Sequence, residues 1–127
     1  MAITVNSKKK QVKKTFQELI NDLMTSSSEK VRYNAARVLG EMGDSKAVEP
    51  LIDVLKNDKN GSVRLYAARA LGELGDSKAT EHLIESLRED RNVDVRVRAA
   101  RALGRLGGKI VVEPLVEALN DENSQVC

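Results

Sequence analysis

From Val31 onward the sequence is made of three consecutive, closely similar units. They begin at Val31, Val63 and Val95; the first two are identical at more than half of their positions, and the third is one residue shorter. Repetition with a period of roughly 20–50 residues marks a repeat protein, in which each unit is stable only when it stacks on its neighbours. The repeat therefore predicts a stack of similar units.

The first half of each unit has the pattern of an amphipathic helix. Val31, Ala35 and Leu39 recur every four residues, which places them on one side of a helix with about 3.6 residues per turn. Glycines suited to a left-handed helix end follow at Gly43, Gly75 and Gly107. Residues suited to capping a helix start precede the valines of the units and a further valine near the end of the chain: Ser28, Asn60, Asn92 and Asn123.

The second half of each unit predicts a second helix. Val48, Leu51 and Leu55 again mark one apolar stripe, and Asp44 and Asp76 are candidate caps for this helix. Because the connections are short, the two helices of a unit are expected to be antiparallel neighbours. The sequence therefore predicts an all-α fold, an α-solenoid of stacked antiparallel helical hairpins.

We expect a single domain over residues 1–127. It divides into a flexible start at 1–8, an N-terminal capping helix at 9–27, repeats at 28–59, 60–91 and 92–122, and the start of a truncated repeat at 123–127. The capping helix is expected over Lys9 to Met24. The second helix of the third unit would expose one side of Leu115, Val116 and Leu119, because no complete unit follows it. This leads to the hypothesis that the chain is part of a longer array or self-associates at that end.

A glycine lies inside the first helix of every unit, at Gly40, Gly72 and Gly104. Each costs about 1 kcal/mol relative to alanine in a helix interior. We expect these glycines to let the second helix of the hairpin approach closely.

Composition narrows the range of functions. The net charge is +2, so the total charge does not attract nucleic acid or an anionic membrane. Cys127 is the only cysteine, which excludes an internal disulfide and a cysteine-based metal site. No apolar run approaches the roughly 20 residues of a membrane span, and the N-terminus lacks the order of a signal peptide. We therefore expect a soluble cytoplasmic protein without a membrane association.

The repeated motif V-R-x-x-A-A-x-A-L-G-x-x-G-D-x-x-A-x-x-x-L-I/V-x-x-L resembles the HEAT-like repeats of the phycobilisome-lyase type, from about Phe16 to Val126. It is also similar to artificial binding scaffolds idealised from that family. Members of the family include interaction adaptors, bilin-lyase subunits and iron hydroxylases. The resemblance thus implies the fold but not one function.

The positions that differ between units predict a binding face. They lie opposite the core stripe of the first helices and, in the resembling scaffolds, the matching positions line a concave ligand-binding surface. Tyr and Arg, which are enriched in binding hot spots, are prominent among them. The expected partner is another protein of unknown identity. The candidate partner-binding residues are Tyr33, Asn34, Arg37, Glu41, Leu65, Tyr66, Arg69, Glu73, Val97, Arg98, Arg101 and Arg105.

The alternative interpretation of this face is that it is merely solvated. Arg37 and Glu41, like Arg69 and Glu73, have the i,i+4 spacing of modestly stabilising surface pairs. The arginines that follow each unit's valine have a different pattern, because they recur unchanged together with the acidic residues Asp58 and Asp90. A structural ladder between neighbouring units is the interpretation favoured for Arg32, Arg64 and Arg96.

We expect no catalytic activity, no cofactor and no metal. The iron hydroxylases of the resembling family carry His-Glu pairs just after V-R, where this chain has Tyr33-Asn34, Leu65-Tyr66 and Val97-Arg98. His82 is the only histidine and takes the place of a proline near a helix start. A role as a subunit of a bilin (phycocyanobilin) lyase stays open by resemblance.

Nucleic-acid binding is a further alternative that we do not favour. Phosphates would attract the basic clusters, but aromatic residues for base stacking are scarce and Glu41 and Glu73 interrupt the face. The basic clusters are Lys8, Lys9, Lys10, Lys13 and Lys14 near the N-terminus and Arg88, Arg91, Arg96, Arg98, Arg101 and Arg105 in and before the third unit.

Overall fold

The structure is a computed structural model that describes residues 13–107. Over this range it consists of α-helices and two short 3-10 turns, Ser45–Ala47 and Ser77–Ala79, with no strand. The predicted all-α solenoid is confirmed. In chain order the helices are α1 (Phe16–Thr25), α2 (Glu29–Met42), α3 (Val48–Asn57), α4 (Gly61–Leu74), α5 (Thr80–Glu89) and α6 (Val93–Leu106).

The starts of the first helices of the units are capped as the sequence predicts. The side chains of Ser28, Asn60 and Asn92 accept hydrogen bonds from the backbone N–H groups of Val31, Val63 and Val95. These bonds satisfy donors that have no partner inside the helix. The fourth candidate cap, Asn123, lies outside the described residues.

The two aspartates act one step earlier than predicted. Asp44 accepts from the backbone N–H of Lys46, and Asp76 accepts from that of Lys78, so they cap the 3-10 turns and not α3 and α5 themselves. The turn that each aspartate starts then leads directly into the helix. Gly43 bends the chain ahead of the first turn, with a left-handed φ of 74°.

The expected N-terminal helix is described only from Lys13 onward. Lys13 to Thr15 are not helical, and α1 starts at Phe16. Thr15 and Glu18 form a reciprocal capping box, in which each side chain accepts from the other residue's backbone N–H, and this arrangement ends the helix on its N-terminal side. The expected helical residues 9–12 lie outside the described part, as do the flexible start at 1–8 and the segment that contains Leu115, Val116 and Leu119.

The helices form two layers that are packed differently. Helices α2, α4 and α6, the inner layer, pack directly against one another, whereas α1, α3 and α5, the outer layer, touch one another only slightly. A stack whose helices lie closer together in one layer curves toward that layer. The inner layer is therefore the concave side of the solenoid.

The mid-helix glycines explain the tight inner layer, but their neighbour is not the one predicted. A Cβ on Gly40 would lie 2.8 Å from the Cα of Ala70, and one on Gly72 would lie 2.9 Å from the Cα of Ala102. The glycines thus admit the first helix of the next unit, not the second helix of their own unit. The corresponding position on α6, Gly104, has no neighbour within 4 Å among the described residues.

Leucine, alanine and valine fill a core that is continuous through the units. Leu39, Leu51, Leu71, Leu83 and Leu103 are fully buried between the two layers. Small alanines alternate with these leucines, which suits thin layers of closely spaced helices. Aromatic residues, 2% of the chain, contribute only at the margin of this core.

The recurring arginines form the predicted ladder along the loops. Arg32 binds both carboxylate oxygens of Asp58, at 2.9 and 3.2 Å, and Arg64 binds those of Asp90, at 2.9 and 3.1 Å. Each arginine also donates to a carbonyl one step back, so that Arg64 bonds the carbonyl of Asp58 and Arg96 that of Asp90. Each aspartate therefore joins two successive arginines through its side chain and its backbone.

No helix between residues 13 and 107 combines the length and the apolar composition needed to cross a membrane.

Candidate functional site: the inner face

The twelve predicted positions all lie on the inner layer, four on each helix. On a helix with about 100° between successive residues, each set of four falls within about 100°, away from the buried stripe. The sets are Tyr33, Asn34, Arg37 and Glu41 on α2, Leu65, Tyr66, Arg69 and Glu73 on α4, and Val97, Arg98, Arg101 and Arg105 on α6. We call this surface the inner face. That it binds a partner stays a prediction.

The two tyrosines are packing residues as much as surface residues. The rings of Tyr33 and Tyr66 stack on each other with centroids 5.2 Å apart and an angle of 17° between their planes. Both are half-buried and pack against the core. The pair therefore joins α2 to α4.

The aliphatic positions differ from one another in exposure. Leu65, which the pattern suggests is exposed, is half-buried, whereas Val97 is 40% exposed. Leu65 and Tyr33 hold the same position in successive units, on the side of the helix that faces the next unit. The unit that follows therefore covers part of this position.

The paired charges of the alternative interpretation are present in the first two units. Arg37 and Glu41 are 3.1 Å apart, and Arg69 and Glu73 are 3.5 Å apart. Such exposed i,i+4 pairs contribute about 0.3–0.5 kcal/mol each. They neutralise the first two units of the inner face at little energetic benefit.

The third unit breaks this pairing. The position four residues after Arg101 holds Arg105, where the other units have glutamate. Arg98, Arg101 and Arg105 have no hydrogen bond or ion pair with any residue of the described part. Positive charge is thus concentrated at the α6 end of the inner face.

Two grooves run along the inner layer. One, of about 460 Å³, lies between α4 and α6 and is lined by Arg69, Glu73, Arg98, Arg101, Ala102 and Arg105. We call it the arginine groove. The other, of about 440 Å³, lies between α1 and α2, and Asn34, Arg37 and Glu41 lie on its wall with Lys14 and Asp22 of the N-terminal part.

No set of three or more His, Cys, Asp or Glu side chains within residues 13–107 is placed to hold a metal ion. His82 is half-buried on α5 of the outer layer.

Comparison with known proteins agrees with this architecture. The family model of HEAT repeats matches residues 16–94 and, again, residues 80–127. A chain in the structure of the complex of CpcE and CpcF of phycocyanin lyase from Nostoc sp. PCC7120 is similar in sequence and shape, with 35% identity and a TM-score of 0.76. The similarity covers 84% of this chain but only 42% of that one. No curated protein matches. The chain belongs to the HEAT-repeat family.

Proposed function

We propose that the chain is a non-catalytic binding module that holds another protein on its inner face. The observation that carries this proposal is that all twelve predicted positions lie on the inner layer. Nine of them belong to three positions that differ between the units, whereas Arg37, Arg69 and Arg101 are an arginine that all three units share. A concave stack of helices offers an extended surface to a macromolecular partner. The similar phycocyanin lyase structure is a complex of two proteins, which supports a protein partner.

The test compares two variants that each remove three cations. The first carries Arg37→Ala, Arg69→Ala and Arg101→Ala, one change in each unit of the inner face. The second carries Lys46→Ala, Lys56→Ala and Lys78→Ala, which change exposed lysines of the 3-10 turns and α3. Tyr33 and Tyr66 are left intact because their stacking supports the fold.

Partners are captured from a native extract by each purified protein and identified, and their affinities are then measured. We expect the inner-face variant to lose at least about tenfold in affinity, equal to about 1.4 kcal/mol, and the lysine variant to match the original protein. Circular dichroism and thermal melting check that both variants are folded. Equal capture by all three proteins would refute the inner face as the binding surface.

A second candidate function is a subunit of a bilin lyase. The observation in its favour is the 35% identity to a chain of the phycocyanin lyase complex, of which this chain spans 42%. In this case the expected partners are a second protein subunit and a phycocyanin chain. Mixing the chain with phycocyanobilin, apo-phycocyanin and candidate subunits, followed by denaturing electrophoresis, would reveal covalently attached pigment. The same pigment yield with and without this chain argues against the role.

A further inference from the structure

In the third unit, the arginines of α6 that face the groove have no ion pair with a residue of the described part, whereas the matching positions of the first two units carry ion pairs. Successive units present Asn34, Arg37 and Glu41, then Tyr66, Arg69 and Glu73, then Arg98, Arg101 and Arg105 at matching positions. Like charges spaced by a turn of helix destabilise it by about 0.2–0.5 kcal/mol per pair. An anion bound at α6 would remove this repulsion.

The geometry concentrates these cations on one groove wall. At about 100° per residue, Arg98, Arg101 and Arg105 fall within about 60° of one another on α6. Arg69 contributes from the opposite wall, and Glu73 is the one acidic residue among the groove's described lining. Arg69 is 3.5 Å from Glu73, so that this carboxylate offsets one cation of the four.

The spacing of Arg101 and Arg105 is close to that of alternate side chains on an extended peptide. With a rise of about 1.5 Å per residue, Arg101 and Arg105 are displaced by about 6 Å along the α6 axis. Alternate side chains of an extended chain repeat at about 6.6–7 Å. Guanidinium groups bind carboxylates through two parallel hydrogen bonds, which makes arginine well suited to such side chains.

The remaining arginines of this region do not extend the groove. Arg96 lies about 140–200° away from the groove arginines around α6 and donates to the carbonyl of Asp90 in the ladder. Arg88 belongs to the outer helix α5 and Arg91 to the loop after it. The six arginines of this region thus lie on separate surfaces and do not form one continuous track for a phosphate backbone.

The nearest aromatic side chains also disfavour a nucleic acid. Tyr33 and Tyr66 stack on each other and are half-buried, so their ring faces are engaged within the protein. Base stacking on free aromatic rings is a main source of single-strand binding energy. A compact cation cluster beside paired charges fits a short run of carboxylates better.

We propose that the arginine groove binds an acidic, extended segment of a protein partner, with alternate Asp or Glu side chains on Arg101 and Arg105 and with Arg98 adding positive charge beside them. This inference rests on the proposed function, since it names the chemistry of the partner at one end of the inner face.

The central test uses the substitution Arg105→Glu. The new glutamate can pair with Arg101, as glutamate does with arginine in the first two units, so the substitution should not destabilise the helix. The probes are a fluorescent peptide of alternating Glu and Ser and the same peptide with Gln in place of Glu. Binding is followed by fluorescence anisotropy at low and at moderate salt. We expect the Glu peptide to bind at least tenfold more tightly than the Gln peptide, and Arg105→Glu to lose at least tenfold for the Glu peptide.

A charge-matched control and two other anions complete the design. Lys56→Glu makes the same change of charge on the outer layer and is expected to bind the Glu peptide as the original protein does. Equal binding of both peptides, no binding of either, or an unchanged affinity in Arg105→Glu overturns the proposal. Tighter binding of duplex DNA of equal charge, or full displacement by equimolar inorganic phosphate, overturns it in favour of a phosphate site.

The outcome is separable from that of the proposed function. If Arg105→Glu binds the Glu peptide normally while the Arg37, Arg69 and Arg101 variant loses its native partner, only the groove assignment fails. If every variant retains the native partner, the inner face itself fails as the binding surface.

Discussion

Gly40 occupies a helix interior that alanine would stabilise by about 1 kcal/mol in an isolated helix. Its worth lies in the absence of a side chain, because the Cα of Ala70 on the neighbouring inner helix leaves no room for a Cβ. A backbone atom cannot move aside as the end of a long side chain can. Local propensity is therefore overruled here by packing between units.

We predict that Gly40→Ala destabilises the protein. The added methyl group would lie 2.8 Å from both Cα and Cβ of Ala70, and separating α2 from α4 costs about 1–3 kcal/mol, which exceeds the gain in helix propensity. The midpoint of urea unfolding, followed by circular dichroism, should fall.

Gly104→Ala is the matched control, since the same position of the third unit has no neighbour within 4 Å in the described part of the chain. Here propensity acts alone, and the midpoint should stay unchanged or rise by the equivalent of up to about 1 kcal/mol. A larger loss for Gly104→Ala than for Gly40→Ala would contradict the packing role of Gly40.

At the scale of the helices and their connections, the arginine ladder ties each loop to the next. Arg64 is 4% exposed, and its pair with Asp90 is the more deeply buried of the two bidentate pairs. A buried ion pair contributes little net stability when formed, but loss of one partner leaves the other charge buried and uncompensated.

We predict a graded effect along the ladder. Arg64→Met removes the arginine that pairs with the buried Asp90 carboxylate, and should reduce the free energy of unfolding by about 3–5 kcal/mol. Arg32→Met should cost less, because the Arg32 side chain is 18% exposed and that of Arg64 5%, so water reaches the first pair more readily. Urea unfolding of both variants measures the difference, and equal losses would show that burial does not set the strength of the rungs.

The sequence predicted these elements well wherever one residue type recurs in every unit. Ser28, Asn60 and Asn92 cap their helices as expected. The bond between Arg64 and Asp90 was predictable because an arginine and an aspartate recur at the same positions of successive units. The stacking of Tyr33 on Tyr66 escaped prediction for the opposite reason. These residues hold neighbouring, not equivalent, positions, and only the offset between stacked helices brings their rings together.

The candidate face was likewise predictable in part. Helical periodicity suffices to place Arg37, Arg69 and Arg101 on one side of their helices. The shape of the grooves beside this face depends on the spacing between helices, which the sequence encodes only through contacts such as that of Gly72 with Ala102. The helix start at Phe16 follows from the capping box of Thr15 and Glu18, which was not predicted.

At the scale of the whole molecule, α4 has the most buried residues of the helices that the structure describes. Seven of its residues are buried, compared with four in α2 and four in α6. Helix α4 packs between α2 and α6 in the inner layer and also contacts α3 of the outer layer. Stability in a repeat protein is approximately a sum over units and the interfaces between neighbours, so a helix with neighbours on both sides should open last.

We predict that backbone amides of α4 exchange with solvent most slowly. Residues from Val63 to Leu71 should retain deuterium protection after α2 and α6 have exchanged, as measured by native-state hydrogen exchange with mass spectrometry. Gly72→Ala, which disturbs the contact between α4 and α6, should accelerate exchange in both helices. Longer protection of α2 or α6 than of α4 would contradict the ranking from burial.

The glycine contacts also determine how the molecule deforms under load. The backbones of neighbouring inner helices touch where Gly40 meets Ala70 and where Gly72 meets Ala102. Such close packing makes the inner layer stiff. The outer helices have little contact with one another, so they can move apart or together more easily. Bending should therefore change the spacing between the outer helices. The spacing between the inner helices, and with it the width of the arginine groove, should stay nearly constant.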